Sequence, residues 1–142
     1  MSVYADSSFL VSRYVVDVHS SQVDHALAHR PSVWFTPFNS AELANAIYRQ
    51  IFLKRLTLAQ AQLVWSDVEQ DCANGIWALV NFPERTWEKS IDLARRYGPS
   101  LGVRTLDSLH VACALELRAE KFWTFDERQA RLAEAAGLDT TP

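Results

Sequence analysis

The chain has 142 residues, 49% of them hydrophobic, which suits one domain with a single sizeable core, so we expect one domain over residues 1–142. Its net charge of −3 argues against a protein that coats nucleic acid by bulk electrostatics alone, although local basic clusters can still bind phosphate. The first residues lack the basic start and apolar stretch of a signal peptide, and no apolar run reaches the roughly 18 residues of a membrane span, so we expect a cytoplasmic protein without a membrane segment.

Short apolar runs alternate with segments of helical periodicity in the first half of the chain. Apolar residues recur three and four positions apart where a helix is predicted, whereas the predicted strands are short apolar runs. In chain order the pattern predicts a strand Ser2–Ala5, a helix that begins at Asp6-Ser7-Ser8, a helix Ser21–His29, a strand Val33–Phe35, a helix from Asn39 to Phe52 and a helix from about Leu58 to Cys72. The last two helices should pair as a hairpin.

The second half of the chain continues the alternation. The pattern predicts a strand Ile76–Val80, a helix Glu84–Tyr97 stopped by Gly98-Pro99, a nearly all-apolar helix opened by Thr105-Leu106-Asp107 and running over Leu109–Leu117, a strand Phe122–Phe125 and a final helix Glu127–Ala136. An all-apolar helix is expected to be buried against a sheet. Strands that alternate with helices predict an α/β fold, with a central, mostly parallel sheet and helices on both faces.

Acidic residues recur where a strand gives way to a helix, or within the first turn of a helix. Asp6 and Asp126 directly follow predicted strands, whereas Glu42 and Asp107 lie in first helical turns. In an open parallel sheet these junctions line one edge, where ligands bind. Converging carboxylates raise one another's pKa values unless a cation neutralises them, and Mg²⁺ or Mn²⁺ prefers oxygen ligands. Such a site suits metal-dependent phosphodiester hydrolysis.

Neighbouring hydroxyl groups could support such a site. Ser7 or Ser8, next to the first acid, and Thr124, near the last, could hold metal-bound waters or a phosphate oxygen.

Each acid also has a structural interpretation. Asp after a strand is a good helix N-cap, and the spacing Asn39-x-x-Glu42 fits a capping box. Taken singly, Asp6, Glu42 and Asp126 are better explained as capping residues. Capping explains Asp107 less well, because Thr105 is the better cap candidate for its helix.

Other chemistry-bearing residues have open interpretations. His110 lies on the same helix face as Asp107 and could touch substrate, but packing is the commoner role in so apolar a segment. A zinc site of His110, Cys113 and Cys72 lacks the paired Cys-x-x-Cys motif that would support it, and both cysteines are expected to be free thiols. Two basic clusters are either solvated helix faces or a phosphate-binding rim, namely Arg49/Lys54/Arg55 and Arg95/Arg96/Arg104.

Four fragments together resemble one known family. They are Tyr4-Ala5-Asp6-Ser7-Ser8-Phe9-Leu10, Asn39-Ser40-Ala41-Glu42-Leu43, the segment from Arg104 to Ala114, and Thr124-Phe125-Asp126-Glu127-Arg128-Gln129. Their order and their placement on the α/β pattern are similar to those of the PIN-domain ribonucleases, particularly the VapC-type toxins of toxin–antitoxin pairs.

The resemblance implies a PIN-like three-layer sandwich and a metal-dependent endoribonuclease that acts on single-stranded or looped RNA. It implies Asp6, Glu42, Asp107 and Asp126 as the acids that bind Mg²⁺ or Mn²⁺, with Ser8 and Thr124 as supporting polar residues. It further implies a homodimer and a cognate antitoxin that lays a peptide across the site. Phe125 departs from the pattern, since many relatives have a small or polar residue there, and this leaves the pose of Asp126 open.

Two other functions remain compatible with the sequence. One is a catalytically silent RNA-binding or adaptor module on the same fold, which would bind RNA without needing the acids. The other is a phosphatase or flap-type DNA nuclease that uses the same metal constellation. The predicted helical hairpin also has more apolar residues than one helix face needs to bury. These side chains either pack against each other and the sheet or are covered by a partner protein.

Overall fold

The computed structural model describes residues 1–140, and in that range it has four strands and seven helices in alternating order. The elements are β1 Ser2–Ala5, α1 Ser7–Tyr14, α2 Ser20–Ala28, β2 Ser32–Phe35, α3 Pro37–Phe52, α4 Leu58–Ala73, β3 Trp77–Leu79, α5 Thr86–Leu101, α6 Thr105–Glu116, β4 Lys121–Trp123 and α7 Glu127–Ala135. The strands form one sheet in the order β3-β2-β1-β4, and every pair is parallel. The predicted α/β fold is confirmed.

The two faces of the sheet support separate cores. In β1, Val3 and Ala5 point to one face and Tyr4 to the other, as the alternation of a strand requires. The first face packs against α1 to α4, through buried residues such as Leu43, whereas the second face packs against α5 to α7. On that second side α6 buries seven consecutive residues from Ser108 to Ala114, which explains its nearly all-apolar sequence. The predicted sandwich, with helices on both faces, is therefore confirmed.

Parallel pairing brings the carboxyl ends of the strands to one edge. Ala5 at the end of β1 lies opposite Trp123 at the end of β4, and Phe35 at the end of β2 lies opposite Leu79 at the end of β3. The segments that leave β1, β2 and β4 therefore start from the same edge of the sheet.

Helix α5 differs from its prediction. The pair Gly98-Pro99 was expected to stop it after Tyr97, but the helix continues through Pro99 to Leu101. Pro99 lacks the N–H that would donate to the carbonyl of Arg95, so the helix loses one hydrogen bond there, and only Ser100 and Leu101 follow it in the helix. The helix ends instead at Gly102, which has a φ of 62° and whose N–H donates to the carbonyl of Gly98 at 3.0 Å.

The beginning of α3 also differs from its prediction. The helix starts at Pro37, and its capping box pairs Thr36 with Asn39, not Asn39 with Glu42. Proline is favourable in the first turn, where a backbone donor would have no helical partner. Since another pair caps the helix, the carboxylate of Glu42 is left for other contacts.

Strand β4 is shorter than predicted and shifted towards the N-terminus. It ends at Trp123, so Thr124 and Phe125 form a short connection and Asp126 does not directly follow the strand. Helix α2 lies one residue earlier than expected at each end.

The α3–α4 hairpin forms as predicted, and part of its apolar surface stays exposed. Val64 and Trp65 pack against the first core, whereas Phe52, Leu58 and Leu63 are 83%, 56% and 69% exposed. Within residues 1–140, no helix combines the length and apolar character needed to cross a membrane.

Candidate active site

Asp6 is buried where β1 gives way to α1. Its Oδ1 accepts hydrogen bonds from the backbone N–H of Phe9 at 3.1 Å and from the Ser8 hydroxyl at 2.6 Å, and its Oδ2 accepts from the Thr124 hydroxyl at 2.5 Å. Burial raises the pKa of Asp6, although the hydrogen bonds from the Ser8 and Thr124 hydroxyls and from the Phe9 N–H partly offset this. Asp6 caps α1, as the structural interpretation predicted, yet it also holds two side chains that were predicted to support the site.

Glu42 lies in the second turn of α3 and not in the first as predicted, because the helix begins two residues earlier, at Pro37. The start of that helix is tied to β1. The buried Asn39 donates through Nδ2 to the carbonyl of Ala5 at 3.1 Å. Glu42 Oε1 accepts from the Ser7 hydroxyl at 3.0 Å and from Nε2 of His110. Burial raises the pKa of Glu42, but the contacts with His110 and Ser7 outweigh burial and the pKa is lowered. The carboxylate is therefore held as an anion.

His110 has the packing role that the sequence favoured, and it also contacts Glu42. It is buried in α6, and its Nδ1 lies 2.8 Å from the hydroxyl of Tyr4 on β1. An ionised carboxylate only accepts hydrogen bonds, so we assign the ring proton to Nε2, facing Glu42, and the acceptor role to Nδ1. His110 is thus a packing residue that also positions Glu42.

Asp107 lies in the first turn of α6 with one buried oxygen unpartnered. No side chain caps this helix, and Thr105, the expected cap, is its first helical residue. Asp107 Oδ2 is buried and has no hydrogen-bond partner within residues 1–140. Burial raises the pKa of Asp107 and the charge of Asp126 raises it further, against the opposing effects of the Arg104 backbone and the Arg104 and Arg128 charges.

Asp126 caps α7, as the structural interpretation predicted. Its Oδ1 accepts from the backbone N–H groups of Arg128 at 2.9 Å and Gln129 at 3.2 Å, and its own N–H donates to the Thr124 hydroxyl at 3.0 Å. The preceding Phe125 packs against the first core.

The packing of Phe125 accounts for its departure from the family pattern. Its ring lies between Phe9, with centroids 5.5 Å apart, and His19, with centroids 4.0 Å apart and planes within 7°. An aromatic residue here joins α1 to the loop before α2.

One cleft of about 290 Å³ brings all four predicted acids together. Its lining comprises Asp6, Ser7, Ser8, Glu42, Arg104, Thr105, Leu106, Asp107, His110, Asp126 and Gln129. Cavities of about 890 and 730 Å³ lie elsewhere, but none of these four acids lines them.

The four acids line the same cleft but do not form a preformed metal-binding site. Within residues 1–140, no group of three or more His, Cys, Asp or Glu side chains is placed to hold a metal ion. Both oxygens of Asp6 and one oxygen each of Glu42 and Asp126 accept hydrogen bonds from protein donors. An ion that used these ligands would share them with the protein donors or displace the donors.

The zinc and basic-cluster hypotheses have different outcomes. Cys72 and Cys113 are free thiols, as predicted, and the described residues contain no zinc-like grouping with His110. The cluster Arg95/Arg96/Arg104 is divided, since Arg104 lines the acidic cleft whereas Arg95 and Arg96 line a different cavity on α5. The cluster Arg49/Lys54/Arg55 lies at the C-terminal end of α3, whereas Glu42 lies near the N-terminal end of the same helix.

Sequence reasoning missed three contributors to this region. Gln129 is buried and donates through Nε2 to the carbonyl of Asp107 at 3.3 Å, which joins α7 to α6. Arg128 and Arg131 line a small cavity beside the cleft. The sequence did contain a signal for the two arginines, because they lie three residues apart, and so on one face of α7, just after its acidic cap.

Comparisons with known proteins agree with this architecture. VapC20 from Mycobacterium tuberculosis, described as a sarcin–ricin loop cleaving toxin, is 14% identical with a TM-score of 0.72, over 98% of this chain and 98% of that one. FitAcB from Neisseria gonorrhoeae is 15% identical with a TM-score of 0.74, over 99% and 96%. A toxin–antitoxin complex from Klebsiella pneumoniae is 15% identical with a TM-score of 0.60, over 87% and 86%. At such identities the likeness concerns the fold.

Sequence comparison assigns the family. No curated protein matches the sequence. The family model of the PIN domain, however, matches residues 3–135, which is most of the chain and contains all four acids. The chain therefore belongs to the PIN-domain family.

Proposed function

We propose that the protein is a metal-dependent endoribonuclease that hydrolyses RNA phosphodiester bonds through Asp6, Glu42, Asp107 and Asp126, and that it is the toxin of a toxin–antitoxin pair. The observation that carries the proposal is the unpartnered, buried Oδ2 of Asp107 in the cleft that the other three acids line. A buried carboxylate oxygen without a partner is costly, and a bound cation would remove that cost. Membership of the PIN-domain family supports the same assignment.

The donor set fits a hard divalent cation. The four acids offer only carboxylate oxygens, the ligands that Mg²⁺ and Mn²⁺ prefer, and no thiol lines the cleft. Asp107, together with the oxygens of Glu42 and Asp126 that accept none of the hydrogen bonds described above, would hold the ion, with Asp6 completing the set. When bound, such an ion supplies Lewis-acid activation of water and neutralises charge on the phosphate.

The neighbouring side chains would keep these acids in position. Ser8 and Thr124 hold Asp6, which is the supporting role that the sequence predicted for them, while Ser7 and His110 hold Glu42. Such second contacts fix the direction of a ligand and its protonation state. The carboxylates then face the cleft without having to be ordered by substrate.

A partner protein fits the exposed surface of the α3–α4 hairpin. Phe52 and Leu63 are large apolar side chains left mostly in solvent, a pattern typical of interaction sites. We assign this surface to the cognate antitoxin, and the likeness to a toxin–antitoxin complex supports a partner of that kind. A homodimer, a cytoplasmic location and a single PIN-like domain over residues 1–142 remain parts of the proposal.

A catalytically silent RNA-binding or adaptor module is the second candidate. It is favoured by the absence, within residues 1–140, of an acidic group already placed to hold a metal. This candidate predicts that the protein binds RNA equally well when the four acids are replaced.

Cleavage of total cellular RNA by the purified protein distinguishes the two candidates. We expect discrete fragments with Mg²⁺ or Mn²⁺, none with EDTA, and none from Asp6→Asn, whereas Asp92→Asn on the exposed side of α5 should cut like the wild type. Each variant is first checked for native circular dichroism. Intact RNA, or equal cleavage by Asp6→Asn, in preparations free of a co-purified inhibitor would reject the nuclease in favour of the silent module.

A further inference from the structure

We propose that Arg104, Arg128 and Arg131 form a phosphate-binding subsite that holds the RNA backbone beside the carboxylate cleft. The inference rests on the proposed function, since it specifies how the same cleft would hold RNA. It concerns residues that contribute no ligand to the ion.

The geometry places the three arginines around one small cavity. A space of about 310 Å³ is lined by Arg104, Arg128, Arg131, Asp126 and Glu127. Two of these residues, Arg104 and Asp126, also line the acidic cleft, so the two spaces adjoin. Arg104 precedes α6, whereas the other two arginines come from the first half of α7. An RNA strand that runs from the cleft into this cavity would contact all three arginines.

The positive charge in this cavity is not neutralised by close ion pairs. Arg131 lies 3.9 Å from Glu127, and the two side chains are 71% and 91% exposed, so the pair is weak. Among residues 1–140, Arg104 and Arg128 have no carboxylate within 4.0 Å of their guanidinium nitrogens. These two guanidinium groups are available to an anion.

The cavity and the cleft share part of their lining. Arg104 and Asp126 line both spaces, and Arg128 follows Asp126 by two residues at the start of α7. A phosphate held by these arginines would lie next to the phosphate that is cut.

Arginine suits this task because its planar guanidinium binds a phosphate through two parallel hydrogen bonds. Contacts with phosphate fix the position of a nucleic acid without reading its sequence. The subsite would thus set the path of the RNA strand, while the choice of bases would depend on other side chains.

Another arginine pair in this chain offers a matched control. Arg95 and Arg96 are exposed on α5 and line a cavity that shares no residue with the cleft. Replacing either pair changes the net charge by the same amount. A difference between the two double variants therefore reports position and not overall charge.

The test is the binding of a short, fluorescein-labelled single-stranded RNA in EDTA, followed by fluorescence anisotropy over a series of KCl concentrations. For a single strand, the slope of log K against log salt falls in magnitude by about 0.7 for each phosphate that the protein no longer neutralises. We expect a fall of about 1.4 for Arg104→Gln/Arg128→Gln, a further fall when Arg131→Gln is added, and almost none for Arg95→Gln/Arg96→Gln.

A charge-conserving variant separates geometry from charge. Arg104→Lys/Arg128→Lys should keep most of the salt dependence but bind several-fold more weakly, because lysine lacks the planar fork. All the substituted side chains are exposed, and thermal unfolding checks that each variant folds.

The outcomes distinguish the subsite from the nuclease. Suppose that the wild type binds and cleaves RNA, but the salt slope of Arg104→Gln/Arg128→Gln is unchanged or falls by no more than that of Arg95→Gln/Arg96→Gln. The subsite is then wrong and the nuclease stands. The arginines would then be left to another anion, such as an acidic partner peptide. If the wild type neither binds nor cleaves RNA, the subsite and the proposed function fail together.

Discussion

Nε2 of His110 donates a hydrogen bond to Glu42, although the two residues lie 68 positions apart in the sequence. The other ring nitrogen accepts from the hydroxyl of Tyr4, which is fully buried in the central strand β1. Burial raises the pKa of Tyr4 well above its usual value, so this hydroxyl keeps its proton and remains a donor. The position of a candidate metal-binding acid is thereby linked to the centre of the sheet.

Tyr4→Phe should remove that link. The change leaves Nδ1 of the buried His110 without a donor, and we expect the free energy of unfolding to fall by about 1–3 kcal/mol, the usual cost of an unsatisfied buried polar group. Urea unfolding in EDTA measures it. Tyr48→Phe is the control, because Tyr48 is exposed, and it should change stability by no more than about 0.5 kcal/mol. Equal stability of Tyr4→Phe and the wild type would show that the Tyr4–His110 contact is not a stabilising hydrogen bond.

The architecture could be predicted from the sequence because each strand is a short apolar run that the core must bury. Val3 and Ala5, for example, are fully buried and lie in the central strand that the apolar pattern predicts. The limits of individual elements were less predictable. Pro99 was expected to end α5, but the helix continues past it and ends at Gly102, three residues later, where φ is 62°.

The cleft was predictable only in part. Asp6 follows the end of β1 and Glu42 lies on the helix that follows β2, and the parallel sheet brings the starts of these two segments to one edge. The pairing of Glu42 with His110, and the meeting of Arg104 with Arg128, depend on the relative rotation of α3, α6 and α7. Local periodicity carries no information on that rotation, so these contacts needed the structure.

Asp6→Asn should stabilise the metal-free protein. Burial raises the pKa of Asp6, so the folded state disfavours its ionised form, and this cost is present at neutral pH. Asparagine keeps the capping geometry without the charge, and we expect a gain of about 1 kcal/mol at pH 7 in EDTA.

The pH dependence of that gain follows from the sign of the shift. A group whose pKa is raised in the folded state loses stability as the pH rises from its ordinary value, here 3.8, through the folded value. The advantage of Asp6→Asn over the wild type should therefore shrink as the pH is lowered towards 3.8. Urea unfolding at several pH values measures the difference, with the exposed Asp67→Asn as control. A less stable Asp6→Asn at neutral pH would mean that the Ser8 and Thr124 hydrogen bonds outweigh the burial of charge.

Cys113 should be inert in the folded protein. It is fully buried, and burial raises the pKa of its thiol to about 12. At pH 8 on the order of 10⁻⁴ of it would be thiolate, since each pH unit below the pKa reduces the thiolate tenfold. The pKa of the half-buried Cys72 is also raised, by burial and by the charges of Asp71 and Glu69. With Ellman's reagent we expect slow reaction at Cys72 alone, and no reaction in folded Cys72→Ser. Rapid labelling of that variant before unfolding would contradict the burial of Cys113.

Asp107→Asn tests the metal site by a measurement other than cleavage. A ligand that binds only the folded state stabilises it by about 2.7 kcal/mol at a concentration one hundred times its dissociation constant. MnCl₂ should therefore raise the melting temperature of the wild type, and the rise should be largely lost in Asp107→Asn, because an amide replaces the carboxylate whose Oδ2 lacks a partner. Asp92→Asn, outside the cleft, should respond like the wild type. If Asp107→Asn gained as much stability from Mn²⁺ as Asp92→Asn, the ion would bind elsewhere, and the four acids would not be its site.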